Sequence, residues 1–172
     1  IIGNDGANIL GQTLESTGEN NGLTYLNVAA CHIGRLGLST LANAVSKTCV
    51  LSLDMSSNLS VHTSNNTLIG VNDKVGHSIA TLISDSKSLT HLDISDNAFL
   101  PEELNDILSY TSIPWNSTLT SLNLSRVGLT AKSARTLALG LLSHKSGGNL
   151  LDLNISNNKL DARSLDDYAS IV

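Results

Sequence analysis

The sequence predicts an α/β solenoid in which short parallel strands stack on one face and helices return along the other. Three observations lead there. The segment from Leu89 to Phe99 (LTHLDISDNAF) carries apolar residues at its first, fourth, sixth and eleventh positions, Leu89, Leu92, Ile94 and Phe99, and an asparagine, Asn97, at its ninth. The same template starts again at Leu23 (LTYLNVAACHI), Val50 (VLSLDMSSNLS), Leu119 (LTSLNLSRVGL) and Leu150 (LLDLNISNNKL), five occurrences in all at intervals of 27, 39, 30 and 31 residues. Aromatic residues make up only 3% of the chain, as suits a stack of small, near-identical cross-sections with little room for rings.

Between Leu92 and Ile94 the apolar period is two, which sets both side chains on one face of a short strand and turns His91 and Asp93 away from it. Such a strand cannot bury its apolar face alone and needs a copy on each side. The intervals leave room for a helix in every unit, and a helical crossover carries a chain from one strand to a parallel neighbour. The LxxLxLxxNxL segment resembles the strand half of a leucine-rich repeat. The helical halves sharpen the likeness: Ile2-Gly3, Gly6-Ala7, Leu10 and Leu14, then Ile33-Gly34, Gly37, Leu41 and Val45, resemble the IGxxGaxxLaxaL pattern of the ribonuclease-inhibitor-like class. That resemblance implies a right-handed solenoid, or horseshoe, with parallel strands on the concave face and helices on the convex face, one domain over residues 1–172.

In chain order, Asn4 or Asp5 is expected to cap a first helix carrying Leu10 and Leu14, part of a repeat without its strand. The second repeat is stretched: after Leu59 the run SVHTSNNTLIGVND precedes a helical face of Val75, Ile79, Leu82 and Ile83. Its Ser, Thr and Asn content favours an extruded loop over a degenerate strand at Leu68 to Val71. Pro101, Glu102 and Glu103 suit the start of the next helix, because proline is tolerated in a first turn and carboxylates favour the positive end of the dipole. Leu104, Ile107 and Leu108 are its buried stripe, and a second loop from Tyr110 to Asn116 holds the only tryptophan. Val127 stands where asparagine is expected, which should interrupt the row of amides that satisfies the backbone of successive loops. The helix on Ala134, Leu137, Leu141 and Leu142 is expected to be the best formed, and Asp161 can cap a last one containing Leu165, Tyr168, Ala169 and Val172. Neither end carries a polar capping repeat, so the chain reads as a piece of a longer protein, with exposed Leu, Ile or Val at both ends through which it can self-associate.

A net charge of −5 offers no basic stripe and argues against nucleic acid as the partner. No run of 18 apolar residues spans a membrane, and no leader-like pattern opens the sequence. Cys31 and Cys49 are too few for a disulfide framework and read as free thiols in a reducing compartment, the cytoplasm, with a Cys31 to Cys49 bond as the alternative.

Equivalent strand positions of stacked repeats form columns about 4.8 Å apart. The third column is Tyr25, Ser52, His91, Ser121 and Asp152; the fifth is Asn27, Asp54, Asp93, Asn123 and Asn154; the seventh is Ala29, Ser56, Ser95, Ser125 and Ser156. Asp54 beside Asp93 is a place for a cation or a raised pKa, set against two solvated acids, which is the expectation. A nucleophilic set of His91, Asp93, Ser95 and Ser121 is rejected because an open sheet supplies no oxyanion hole; a metal site on His91, Asp93 and Asp54 is rejected too, and no cofactor is called for. Arg126, the one arginine near the strand face, either assists phosphoryl transfer or pairs with Asp96, the latter being expected. Tyr110 and Trp115 are the loop's interface anchors, or Trp115 folds back on the helix that starts at Pro101. Sequons at Asn58, Asn65, Asn116, Asn123 and Asn154 are weighed as chance matches in a Ser- and Asn-rich chain.

These features point to a non-catalytic protein-protein interaction scaffold that presents a concave strand face and two long loops to a protein partner through Tyr25, Asp54, His91, Asp93, Arg126, Asp152, Tyr110 and Trp115. The alternatives are a GTPase-activating protein similar to the Ran-directed leucine-rich repeat proteins, the sensing region of a larger receptor, and an actin-regulating scaffold. In having one irregularly long repeat the chain is similar to the tropomodulin and CARMIL families.

Overall fold

The computed structural model describes residues 1–60, 74–109, 118–143 and 149–160. Strands β1 (Tyr25–Asn27), β2 (Ser52–Asp54), β3 (His91–Asp93), β4 (Ser121–Asn123) and β5 (Asp152–Asn154) form one parallel sheet in chain order. Helices α1 (Gly3–Thr17), α2 (Arg35–Val45), α3 (Val75–Asp85), α4 (Pro101–Ile107) and α5 (Ala131–Ser143) each precede a strand and pack side by side in that order. The register puts Leu26, Leu53, Leu92, Leu122 and Leu153 in one row. Because β2 pairs directly with β3, the long interval between them adds no strand to the sheet there. The expected loop in that interval, with its alternative strand at Leu68 to Val71, lies outside the described residues, as does the helix expected from Asp161.

The core lies between sheet and helices. Met55, Ile94 and Leu124 are 0% exposed, and they meet Leu41, Val45, Ile79, Leu82, Ile83 and Ile107 from the helix layer in one cluster. Burial of a leucine or isoleucine contributes about 1.5–3 kcal/mol, which strands of three residues need because each makes so few ladder bonds. The α3 stripe of Val75, Ile79, Leu82 and Ile83 is completely buried; in α5, among the described side chains of the expected stripe, Leu137 is buried and Ala134 and Leu141 are half-buried. At the two edges of the stack Ile1, Ile2, Ile9, Leu151 and Leu160 are exposed. Among the described residues no helix is long and apolar enough to cross a membrane.

Asparagines at the ninth position fasten one repeat to the one before. Asn97 is 1% exposed; its Oδ1 accepts from Asn58 N at 3.0 Å and Leu59 N at 2.7 Å, and its Nδ2 donates to Met55 O, Ile94 O and Ser95 O. Asn58 does the same toward Cys31 N, Ile33 N and Val28 O. Asn158 accepts from Val127 N, Gly128 N and Leu129 N and donates to Leu124 O. At Val127 the row is broken, as the sequence leads one to expect.

The helix starts differ from expectation. Ile2, not Asn4 or Asp5, is the residue before the first turn of α1, and no side chain caps it. Asn4 instead turns its Oδ1 to the next helix and accepts from Gly34 N at 2.8 Å and Gly37 N at 3.2 Å. Glu103 caps α4 by accepting from Leu100 N at 2.6 Å. It also meets Arg35 of α2: Nε donates to Oε1 at 2.7 Å, Nη2 to Oε2 at 3.3 Å, and Nη2 also to Ala98 O at 2.8 Å. Both side chains are nearly buried, at 8% and 7% exposure. The pair spans the start of α3, where a Cβ on Gly76 would lie 2.6 Å from the Glu103 backbone, so only glycine lets the two helices approach.

Two stability predictions follow from these buried polar groups. Asn97→Ala strands five hydrogen-bond partners and is expected to cost about 3 kcal/mol in urea unfolding. Glu103→Ala, which removes the buried carboxylate facing the Arg35 guanidinium, is expected to cost about 3–5 kcal/mol, and Arg35→Met less, because Glu103 keeps its bond to Leu100 N.

Candidate functional site

Strand positions three and five point away from the helices. The register brings Tyr25, Ser52, His91, Ser121 and Asp152 into one column and Asn27, Asp54, Asp93, Asn123 and Asn154 into the next. Five of the residues singled out from the sequence, Tyr25, Asp54, His91, Asp93 and Asp152, therefore share one open face. Tyr25 is 57% exposed, and its hydroxyl accepts from Asn27 Nδ2 at 3.1 Å.

Asp54 and Asp93 are direct register partners, and each is supplied with donors. Asp54 accepts from Ser56 N at 3.0 Å, Ser56 Oγ at 2.7 Å and Asn27 Nδ2 at 3.0 Å. Asp93 accepts from Ser95 N at 2.9 Å, Ser95 Oγ at 2.6 Å and Asn123 Nδ2 at 2.8 Å. The column thus runs amide, acid, acid, amide, and the flanking amides aim their N–H groups at the two carboxylates. In every repeat the Oδ1 of position five also accepts from the N–H of position seven, in Ala29, Ser56, Ser95, Ser125 and Ser156. That bond turns the chain out of the strand, so these polar residues shape the scaffold and present a surface at once.

The hydroxyls near His91 point elsewhere. Ser95 donates to Asp93, Ser121 donates to Asp152 Oδ2 at 3.2 Å, and His91 Nδ1 pairs with the Thr90 hydroxyl at 2.8 Å. Neither serine reaches the imidazole, so a nucleophilic set is not assembled here. Among the described residues no group of three His, Cys, Asp or Glu side chains is placed to hold a metal ion. Cys31 and Cys49 are free and half-buried. Tyr110 and Trp115, with the sequons at Asn65 and Asn116, lie outside the described residues.

Arg126 sits not on the strand face but on the rim beside it. Position eight of all five repeats is left-handed, with φ of 50° at Ala30, 55° at Ser57, 53° at Asp96, 53° at Arg126 and 56° at Asn157. Asp96 and Asn157 are of types that tolerate this conformation, whereas Ala30, Ser57 and Arg126 adopt it at a cost, so the residue types at that position signal it only in part. The turn geometry swings Asp96 and Arg126 together. Arg126 Nε donates to Asp96 Oδ1 and Nη2 donates to Oδ2 at 2.5 Å, which is the pairing expected from the sequence. Beneath them opens a groove of about 620 Å³, lined by Leu59, Asn97, Phe99 and Val127 as well as by the ion pair.

The hydrogen bonds and charge of Arg126 hold the Asp96 carboxyl below the usual 3.8, partial burial opposing them. A carboxylate with a depressed pKa adds stability above its unfolded pKa, and that contribution is lost as pH falls through the depressed value. The carboxyl resonance of Asp96 is therefore expected to titrate with a midpoint below 3.8 and to return toward it in Arg126→Gln.

Neither protein-family models nor curated proteins match the sequence. Among solved structures the fold is similar to the tropomodulin C-terminal domain of Caenorhabditis elegans, at 14% identity and a TM-score of 0.66, covering 95% of this chain and 89% of that one. It is similar also to actin-binding site 2 of leiomodin-1, at 18% identity and a TM-score of 0.64, covering 93% of this chain and 90% of that one. At these identities the likeness is one of fold: a leucine-rich-repeat-like parallel sheet with a layer of helices.

Proposed function

We propose that this chain is a non-catalytic interaction module whose protein partner is actin, a right-handed solenoid of the ribonuclease-inhibitor-like kind that meets its partner with a concave strand face. The observation that carries this reading is the extent of the fold likeness to a leiomodin domain named as an actin-binding site, 93% of this chain against 90% of that one. The polar face of Tyr25, Asp54, His91, Asp93 and Asp152, with Arg126 on its rim, is the surface proposed for the contact. It is already organised by internal hydrogen bonds, so a partner finds it ordered and little entropy is lost on docking. An actin partner fits the cytoplasmic placement expected from two unpaired thiols. The Ran-directed GTPase-activating alternative has no support: the arginine it needs is held by Asp96, and neither similar structure is named for that activity.

The test is a fluorescence-anisotropy titration of labelled actin monomers, kept unpolymerised, with the purified chain. Saturable binding is expected, weakened about tenfold by joint Tyr25→Ala and His91→Ala changes, the loss of about 1.4 kcal/mol that follows removal of an interface anchor. No binding at any accessible concentration overturns the actin reading, and binding indifferent to both changes overturns the choice of face.

A further inference from the structure

We infer that the joint between the third and fourth repeats is a flexion point built into the solenoid, latched by the Asp96–Arg126 ion pair in place of the amide that closes the other joints. The inference goes beyond the proposed function and does not depend on the partner. Four joints separate the five strands. At the first, Asn58 reaches back to Cys31 N and Ile33 N; at the second, Asn97 reaches Asn58 N and Leu59 N; at the fourth, Asn158 reaches Val127 N, Gly128 N and Leu129 N. At the third joint the ninth residue is Val127, 1% exposed, whose methyls can accept nothing.

The backbone shows what is lost. Asn97 is itself buried, and its N–H has no acceptor among the described residues, while Phe99 N turns back locally to Asn97 O at 3.0 Å. Up to position eight the joint is ordinary, with Ile94 N donating to Asn123 O and Asp96 N to Ser125 O. Past that point the second joint keeps Ala98 N to Leu59 O and the fourth keeps Lys159 N to Leu129 O. Among the described residues nothing equivalent crosses the third, nor the first, which keeps its Asn58 amide. The groove runs over this third joint, lined by Asp96 to Phe99 of the third repeat and Arg126 to Gly128 of the fourth, and it continues onto Ser57, Leu59 and Ser60 of the second. A buried donor left without an acceptor is costly, and a joint that lacks both the amide and the last backbone bond opens more readily than its neighbours.

The ion pair lies across this gap and no other. Position eight reads Ala30, Ser57, Asp96, Arg126 and Asn157, so at this position the third joint alone has opposite charges facing across it. Arg126 is 57% and Asp96 33% exposed, which makes the latch sensitive to salt in a way that a buried amide is not. The rest of the stack is rigid by comparison, and a change of curvature concentrates where the fastening is electrostatic.

Hydrogen-exchange mass spectrometry on the whole chain tests this. Amides over residues 94–100 are expected to exchange about five- to tenfold faster than those over residues 55–60, the effect of one missing buried bond. Raising salt from low ionic strength to about 0.5 M should speed the first segment about two- to fivefold and leave the second unchanged. Asp96→Asn, which keeps a residue tolerant of positive φ, should exchange at the faster rate at every salt concentration. Val127→Asn should slow the segment and remove its salt response. Equal exchange in the two segments, or a salt response that persists in Asp96→Asn, overturns the proposal; a Val127→Asn chain that does not fold leaves both of those readings intact.

Discussion

A strand of three residues makes too few ladder bonds to hold its place in a sheet, and a parallel neighbour adds slanted bonds that are individually weaker than antiparallel ones. The fold answers this with a buried carboxamide that serves two repeats at once. The Oδ1 of Asn97 collects N–H groups from the repeat before, and its Nδ2 donates both to that repeat and to its own. The turn that follows each strand takes one shape, with the eighth residue left-handed in all five repeats, whether or not an amide follows it, and the leucines below fall into a single row. Register and core are reinforced by that fastening wherever it is present.

The open face obeys a related economy. Two neighbouring aspartates would repel if left bare, but here each takes two bonds from its own serine and one from an amide on its outer side. Charge is thereby spread over fixed dipoles, and the side chains keep few alternative rotamers. The described part of this face is open, and its polar groups are held by one another.

Much of this was legible in the residues. Period-two leucines placed the strands, the ninth-position asparagines and the Val127 exception marked where repeats are fastened, and the thirty-residue spacing of Asp96 and Arg126 across adjacent repeats put their charges side by side. What escaped were contacts between helix starts. Asn4 looks like a local cap, yet it serves the next helix. Arg35 and Glu103 stand 68 residues apart, with a whole repeat between them, and each has an ordinary reason to be where it is: one opens a helix and the other closes a capping bond. The left-handed eighth position was half hidden for a different reason, because at Ala30, Ser57 and Arg126 the backbone is dictated by neighbours on both sides and not by the residue that adopts it. The face residues could be placed but not interpreted, since the same Asp and Asn that would meet a partner are also required by the turn.

Solenoids come apart under load by peeling, one layer after another, because each layer touches only the next. The Arg35 guanidinium breaks that rule. By gripping Glu103 and Ala98 across the start of α3 it binds the first and third repeats into one block, and once α1 has come away a pull on the N-terminal edge cannot strip the first repeat without breaking that ion pair. The first three repeats thus yield to tension together, while α1 before them and the layers beyond α4 are left to detach singly.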